Sequence, residues 1–232
     1  MNETPEEIKP INPFDNSIFL VDKPYAITSF NAVSIFKKEF KLKKVGHAGT
    51  LDPNATGLLV LCSGNKTKII NEFIEYDKDY TGVIRIGAKT KTFDTESTEY
   101  DEVNTSHISD DEIKIVGEKF LGKTEQIPPM HSALKHKGKP LYKLARAGET
   151  IERKPREIII EKLFLRRIDE TKIYFEVSVS KGTYIRCLAN DIGESLGVGG
   201  YLKELRRTRV GKFILEDFPD EIKGAKYKKI DV

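Results

Sequence analysis

"GHAGTLDPNATGLLVL", residues 46–61, carries one histidine, one aspartate and three glycines in its first twelve positions and then turns apolar. Glycine and Asp-Pro are turn chemistry, so Gly46 to Pro53 reads as a constrained loop. The apolar run after it reads as a buried strand or the start of a helix. Upstream, Ile18 to Val21 is a short β-like run, and Lys23-Pro24 turns the chain. Ser29 is the expected N-cap of a helix whose Ala32, Val33 and Phe36 fall at helical spacing. Downstream, "DKDYTGVIRIGAKT" alternates as a strand, with Tyr80, Gly82, Ile84 and Ile86 on one face and Thr81, Val83 and Arg85 on the other.

Farther on, Ser109-Asp110-Asp111-Glu112 is a capping box. It opens a helix with Ile113, Val116, Phe120 and Leu121 on one side. "QIPPMHSALKHKGKPLYKLARAGE" is a long basic excursion, punctuated by Pro and Gly, that ends in a short helix around Leu141 to Ala147. "REIIIEKLFLRRI" and "KIYFEVSVSKGTYIRCLANDIGESL" supply two strands and a helix from about Ile185. "YLKELRRTRVGKFILED" is expected to form a basic helical turn and a last strand. Strands and helices mix without regular βαβ spacing. The fold class is therefore α+β, with a mixed, largely antiparallel sheet flanked by helices.

The net charge of the 232 residues is only +3, but charge is unevenly spread. Thr92 to Glu118 holds nine acids and one lysine, whereas His131 to Arg167 holds eleven Lys/Arg and four Glu. Tyr201 to Lys212 adds five bases and one acid. Such stretches are either solvated surface or, with Tyr and Arg interleaved, a phosphate-binding face. The two cysteines, Cys62 and Cys187, lack metal-ligand spacing and read as buried reduced thiols of a cytoplasmic protein. The acidic, Pro-rich N-terminus is no signal peptide, and no apolar run reaches transmembrane length. Phosphate-loop, dinucleotide, zinc-protease and nucleophile-elbow motifs are absent, so side-chain chemistry alone is expected, with no cofactor and no metal.

Four features carry that chemistry. Taken alone, Asp52 reads as a turn or cap residue and Tyr80 as a half-buried strand tyrosine. "SKGTYIR", Ser180 to Arg186, reads as a turn that aims Tyr184 and Arg186 at one point, or as a hairpin edge with a surface arginine. "LKELRRTRVG" reads as a basic surface segment.

Read together, they resemble a known family. "GHAGTLDPNATGLL" closely resembles the signature of the tRNA pseudouridine-55 synthases. "DKPYAITS", "DKDY", "PPMHSALKHKGKPLYKLARAG", "SKGTYIRCLANDIG" and "LKELRRTRVG" follow in the family's order around it, spanning about Ile18 to Gly211. The resemblance implies a mixed-sheet catalytic core without cofactor or metal. Asp52 matches the catalytic aspartate, Tyr80 the tyrosine that stacks on the extruded uracil, and Arg186 the arginine paired with the aspartate. Tyr184 and Leu205 match residues lining the uridine pocket, and His47 matches a histidine near the vacated base position.

The activity implied is isomerisation of uridine 55 in the T-loop of tRNA, with the T-arm as partner. No membrane, no obligate protein partner and a monomer are expected. A tRNA-folding chaperone and a synthase acting on another RNA are the alternatives. The acidic, Pro-rich composition makes 1–16 a flexible leader, and the resemblance makes 17–211 the catalytic domain and 212–232 a short tail. The 124–150 excursion is an inserted RNA-clamping loop, and the tail stands where the family has a full RNA-binding module. Two positions depart from the family: Ala26 replaces a usual glycine, and His131 a common tyrosine.

The chemistry fits those residues. Breaking the N1–C1′ bond, turning the uracil and rejoining through C5 changes no composition. The carboxylate could attack the sugar, attack the base or take a proton from the ribose. Flipping the nucleotide costs a few kcal/mol, of which stacking on an aromatic ring returns roughly 1–3 kcal/mol.

Overall fold

The computed structural model describes residues 12–132 and 134–230. Residues 1–11 of the expected leader lie outside the described residues. The rest of the leader is packed: Asn12 donates its side-chain amide to the Phe40 carbonyl at 2.6 Å, and the Phe14 and Phe40 rings stack with centroids 4.1 Å apart.

The first half of the chain forms β1 (Ile18–Lys23), α1 (Ser29–Glu39), β2 (Val45–Ala48), β3 (Ala55–Ser63), α2 (Ile70–Ile74), β4 (Lys78–Ile86), β5 (Lys89–Thr90) and β6 (Glu99–Tyr100). Next come α3 (Asp110–Lys119), β7 (Gly122–Gln126), β8 (Lys135–His136), β9 (Lys139–Pro140) and α4 (Leu141–Arg146). The remainder is β10 (Arg156–Asp169), β11 (Lys172–Val179), α5 (Ile185–Ser195), β12 (Gly200–Val210), β13 (Phe213–Ile214), β14 (Asp220–Ile222) and β15 (Ala225–Ile230).

Among the described residues, eleven strands make one sheet, ordered β14-β15-β1-β3-β12-β4-β11-β10-β7, with β2 added to β3 and β13 to β12. Its pairings are antiparallel except β12 with β3, where Leu205, Arg206 and Arg207 run beside Ala55, Thr56 and Gly57. The expected α+β fold and mixed, largely antiparallel sheet are therefore observed.

Period-two alternation puts successive side chains on opposite faces. Phe19, Val21, Leu59 and Leu61 join α1, α3 and α5 in one core, while Ile18, Leu20, Leu58 and Val60 join Phe73 and Phe213 in the other. Strands buried on both faces read as unbroken apolar runs, which is why "GLLVL" is a strand and not a helix start. Gly57 has φ +99, and a Cβ there would stand 2.3 Å from the Arg207 carbonyl oxygen. The parallel contact that seats the opening loop thus needs a residue without a side chain.

Several local expectations are corrected. Residues 201–210 are strand, not a helical turn, because β4 pairs with them on one side and β3 on the other. Their bases are not a solvated stripe either: Arg206 forks onto Asp22 at 2.7 and 3.1 Å, and Arg209 onto Asp79 at 2.6 and 2.7 Å. Within the expected tail at 212–232, the described residues reach 230, where β15 pairs with β1 over five positions and β14 pairs with β15. Thr28, not Ser29, caps α1 by accepting from Asn31 N–H. The Ser109–Glu112 capping box is present as read. Leu121 lies beyond the end of α3 and is 45% exposed, so it is not part of that helix's buried side.

Ala26 sits at φ +64, in the left-handed region that glycine occupies without strain. Ala26→Gly is expected to stabilise the protein by about 0.5–1 kcal/mol, the left-handed penalty less the extra freedom of glycine in the unfolded chain. A denaturant midpoint that falls on this substitution would contradict the assignment of strain.

Candidate active site

Residues 49–55 form a turn pinned on every side. The Leu51 N–H donates to Ser29 Oγ at 2.9 Å, and that hydroxyl donates back to the Leu51 carbonyl at 3.1 Å. Pro53 O accepts from Ala26 N at 3.0 Å and from Lys23 Nζ at 3.2 Å. Ala55 N donates to Asp52 O at 3.1 Å. From β12, Arg207 donates Nη2 to Gly49 O at 3.2 Å and Nε to Leu58 O at 2.7 Å. Both neighbours of Asp52 are thus held by backbone contacts, which leaves its side chain as the free feature of the loop.

That side chain meets α5. Arg186 Nη2 stands 3.0 Å from Asp52 Oδ2. The other arm of the guanidinium, Nη1, is 3.4 Å from Asp94 Oδ2. Arg186 is 6% exposed and Asp94 10%, while Asp52 keeps 37% of its side chain open. One planar, always-charged group therefore bridges two carboxylates, of which only Asp52 faces outward. Removal from water pushes the Asp52 carboxyl above its usual range; Arg186 opposes that rise, Asp94 adds to it and Lys23 opposes it. Lys23 is fully buried, with Nζ donating to the carbonyls of Pro24, Ile27 and Pro53, and burial brings its pKa down to about 8.

The other expected site residues surround this pair. Tyr184 is the N-cap residue of α5, and its ring centroid lies 5.9 Å from the Arg186 guanidinium carbon. Gln126 fixes its backbone, accepting from Tyr184 N at 2.8 Å and donating to Tyr184 O at 3.1 Å. Leu205 lies beside Ala55 in the parallel pairing. It also lines a groove of about 620 Å³ with Tyr25, Asn54, Thr56, Thr95 and Lys203. Tyr80 is 9% exposed in β4 and sits opposite Arg207 of β12. His47 lies in β2 with Nδ1 buried and unpartnered. Burial and then the Arg207 charge lower its pKa, while the nearby Gly49 backbone opposes that shift, so the ring is neutral at pH 7. The structure thus joins Asp52, Arg186 and Tyr184 directly. Tyr80 and His47 belong to a second group around Arg207, coupled to the first through Gly49.

Asp94, Lys23, Ser29 and Arg207 belong to the site but carry no functional mark of their own in the sequence. Asp94 was one of nine acids in a charge run, and nothing local marks it. Lys23 had a signal, a lysine closing an apolar strand run, but was read only as part of a turn. In the excursion, His131 has its pKa lowered by burial and by Arg186, while Asp94 opposes that shift. Among the described residues no group of three or more His, Cys, Asp or Glu is arranged to hold a metal ion, and no helix is long and apolar enough to cross a membrane.

Residues 37–185 match the family described as TruB family pseudouridylate synthase (N terminal domain), and residues 186–225 match the tRNA pseudouridylate synthase B C-terminal domain. The second match covers α5, β12, β13, β14 and the start of β15, all packed on or in the one sheet. The chain is 48% identical over 204 residues to tRNA pseudouridine synthase B of Chloroherpeton thalassium, covering 86% of this chain and 85% of that protein. It is 46% identical over 208 residues to tRNA pseudouridine synthase B of Chlorobaculum tepidum, covering 88% and 87%. Among solved structures, a Cbf5-Nop10-Gar1 complex superposes with a TM-score of 0.68 at 29% identity over 87% of this chain and 50% of that one. A structure of an H/ACA RNP bound to a substrate RNA containing 2′-deoxyuridine superposes with a TM-score of 0.63 at 27% identity, over 87% of this chain and 49% of that one. This chain therefore spans about half the length of those solved chains.

Proposed function

The chain belongs to the TruB family of pseudouridylate synthases, an isomerase family, and on that premise we propose that it converts uridine 55 of the tRNA T-loop to pseudouridine, with Asp52 as the catalytic residue. The observation that carries the assignment is one open carboxylate, presented by a pinned turn and gripped by a buried arginine. The greater similarity to proteins named tRNA pseudouridine synthase B than to the Cbf5-Nop10-Gar1 complex supports tRNA as the substrate.

Asp52 attacks the nucleotide, at the sugar or the base, or takes a proton from the ribose. Each route needs the ionised form. Arg186 favours that form inside a site from which the flipped nucleotide expels water, and it fixes the rotamer. Tyr80 stacks on the uracil, Tyr184 and Leu205 line its pocket, and His47, neutral, fills the space the base leaves. The 124–150 excursion clamps the RNA.

Rejoining through C5 sends the C5 hydrogen to solvent while N1 gains a proton. Wild-type protein should therefore release one tritium per tRNA labelled at C5 of uridine 55, and no release with pseudouridine absent would refute the function. Because the site raises the Asp52 pKa, the acid limb of kcat/KM should lie above 3.8, the ordinary aspartate value. An acid limb at or below that value would show that Arg186 outweighs burial.

A further inference from the structure

Where the excursion returns to β10, three charged donors are buried without acceptors: Nε of Arg153, and Nε and Nη2 of Arg156. Arg186 is neutralised by Asp52 and Asp94, but among the described residues no carboxylate lies within ion-pair distance of Arg153 or Arg156. The acid next to Arg156, Glu157, faces Lys123 at 3.3 Å instead. Leaving a buried donor unpaired costs about 1–3 kcal/mol, more when it is charged, so such groups are expected to meet an acceptor in the working state.

The arrangement is fixed rather than casual. The Arg156 guanidinium carbon stands 4.6 Å from the Tyr184 ring centroid. Gly182, at φ +76, leaves it room, since a Cβ there would come within 3.3 Å of Arg156 Nη1. Gln126 holds the Tyr184 backbone on both sides, as described above. Both arginine charges also reach Cys187 in the first turn of α5, and the N-terminus of that helix has no side-chain cap. A guanidinium stacked by its face on an aromatic ring keeps its N–H edge for a planar or tetrahedral oxyanion. The uncapped helix start adds positive potential at the same place.

We propose that Arg153 and Arg156 form a clamp for a backbone phosphate flanking the extruded uridine, with Arg156 locked by its stack on Tyr184. This rests on the reading that Tyr184 lines the uridine pocket. The clamp holds the strand on either side of the flipped base, so that the base is presented to Asp52 in one register.

The test couples one arginine to one phosphate. Unmodified tRNA and tRNAs carrying a single neutral methylphosphonate on the 5′ or 3′ side of residue 55 are bound by wild type, Arg156→Met and Arg156→Lys across a salt series. In wild type, one of the two neutral linkages should weaken binding about tenfold or more, the scale of a charged hydrogen bond. It should also flatten the log Kd against log salt slope by about 0.7–0.9. Arg156→Met should show that weakening and flattening with unmodified tRNA, and no further loss with the neutral linkage. Arg156→Lys, which keeps the charge but not the fork, should retain the slope while losing part of the affinity. Equal cost of the neutral linkage in wild type and Arg156→Met would overturn the clamp, and would leave the orphan donors to water. Pseudouridine formation by wild type on unmodified tRNA, scored in parallel, separates that outcome from failure of the functional assignment.

Discussion

Asp52→Asn is expected to abolish pseudouridine formation, by at least about 10⁴-fold, the order seen when the central group of a side-chain-only catalyst is removed. The amide is nearly isosteric, so the 49–55 turn keeps its backbone contacts to Ser29, Lys23 and Arg207, none of which involves the carboxylate. Binding of tRNA should stay within about tenfold, because affinity comes mainly from phosphate contacts. Stability should not fall. The folded protein holds the Asp52 proton more tightly than the unfolded chain does, so the stability linked to this group is full below the unfolded pKa and is lost as pH rises through the folded one. At neutral pH the ionised carboxylate is thus a cost that asparagine removes. A variant with appreciable turnover would refute the role of Asp52. Loss of turnover together with a lower melting temperature would show that the effect is structural.

The second large effect is at Arg186. Arg186→Met leaves Asp52 and Asp94 facing one another with no cation between them, and breaking such a buried pair typically costs about 3–5 kcal/mol of stability. Activity at neutral pH should drop about 100-fold or more through lost positioning alone. The acid limb should move up, because the first opposing influence on Asp52 is gone while Asp94 still raises its pKa. Part of the activity should therefore return as the pH is raised. Arg186→Lys offers one point charge where a fork spanned two carboxylates, and should fall between wild type and Arg186→Met. Asp94→Asn removes the like charge and should move the limb down. Parallel pH profiles for all three variants would show that the carboxylates are not coupled through Arg186.

Much of this was legible in the chain. The apolar run at β1, the alternation at β4, the strand at β11, the capping box at Ser109 and the helix from Ile185 follow from local rules and are found where expected. What local rules could not supply was set by distant partners. Leu202 to Arg209 has no strong strand signature, and becomes strand because β3 and β4 flank it. Residues 225–230 become strand beside β1, far away in sequence. The site divides the same way. Asp52 and Arg186 lie 134 positions apart, and local chemistry made each look ordinary; their pairing was implied by the family resemblance and is a 3.0 Å contact in the structure. Asp94 was invisible, because a carboxylate in an acidic run carries no mark of the arginine it meets.

The most direct test of the account is a nucleotide-resolution map of pseudouridine after wild-type protein and Asp52→Asn are each incubated, with no other macromolecule, on unmodified tRNA and ribosomal RNA. A single new pseudouridine at position 55 of tRNA with wild type, and none with the variant, is the predicted result. Modification at another site, a requirement for a guide RNA, or pseudouridine 55 formed by Asp52→Asn would contradict it.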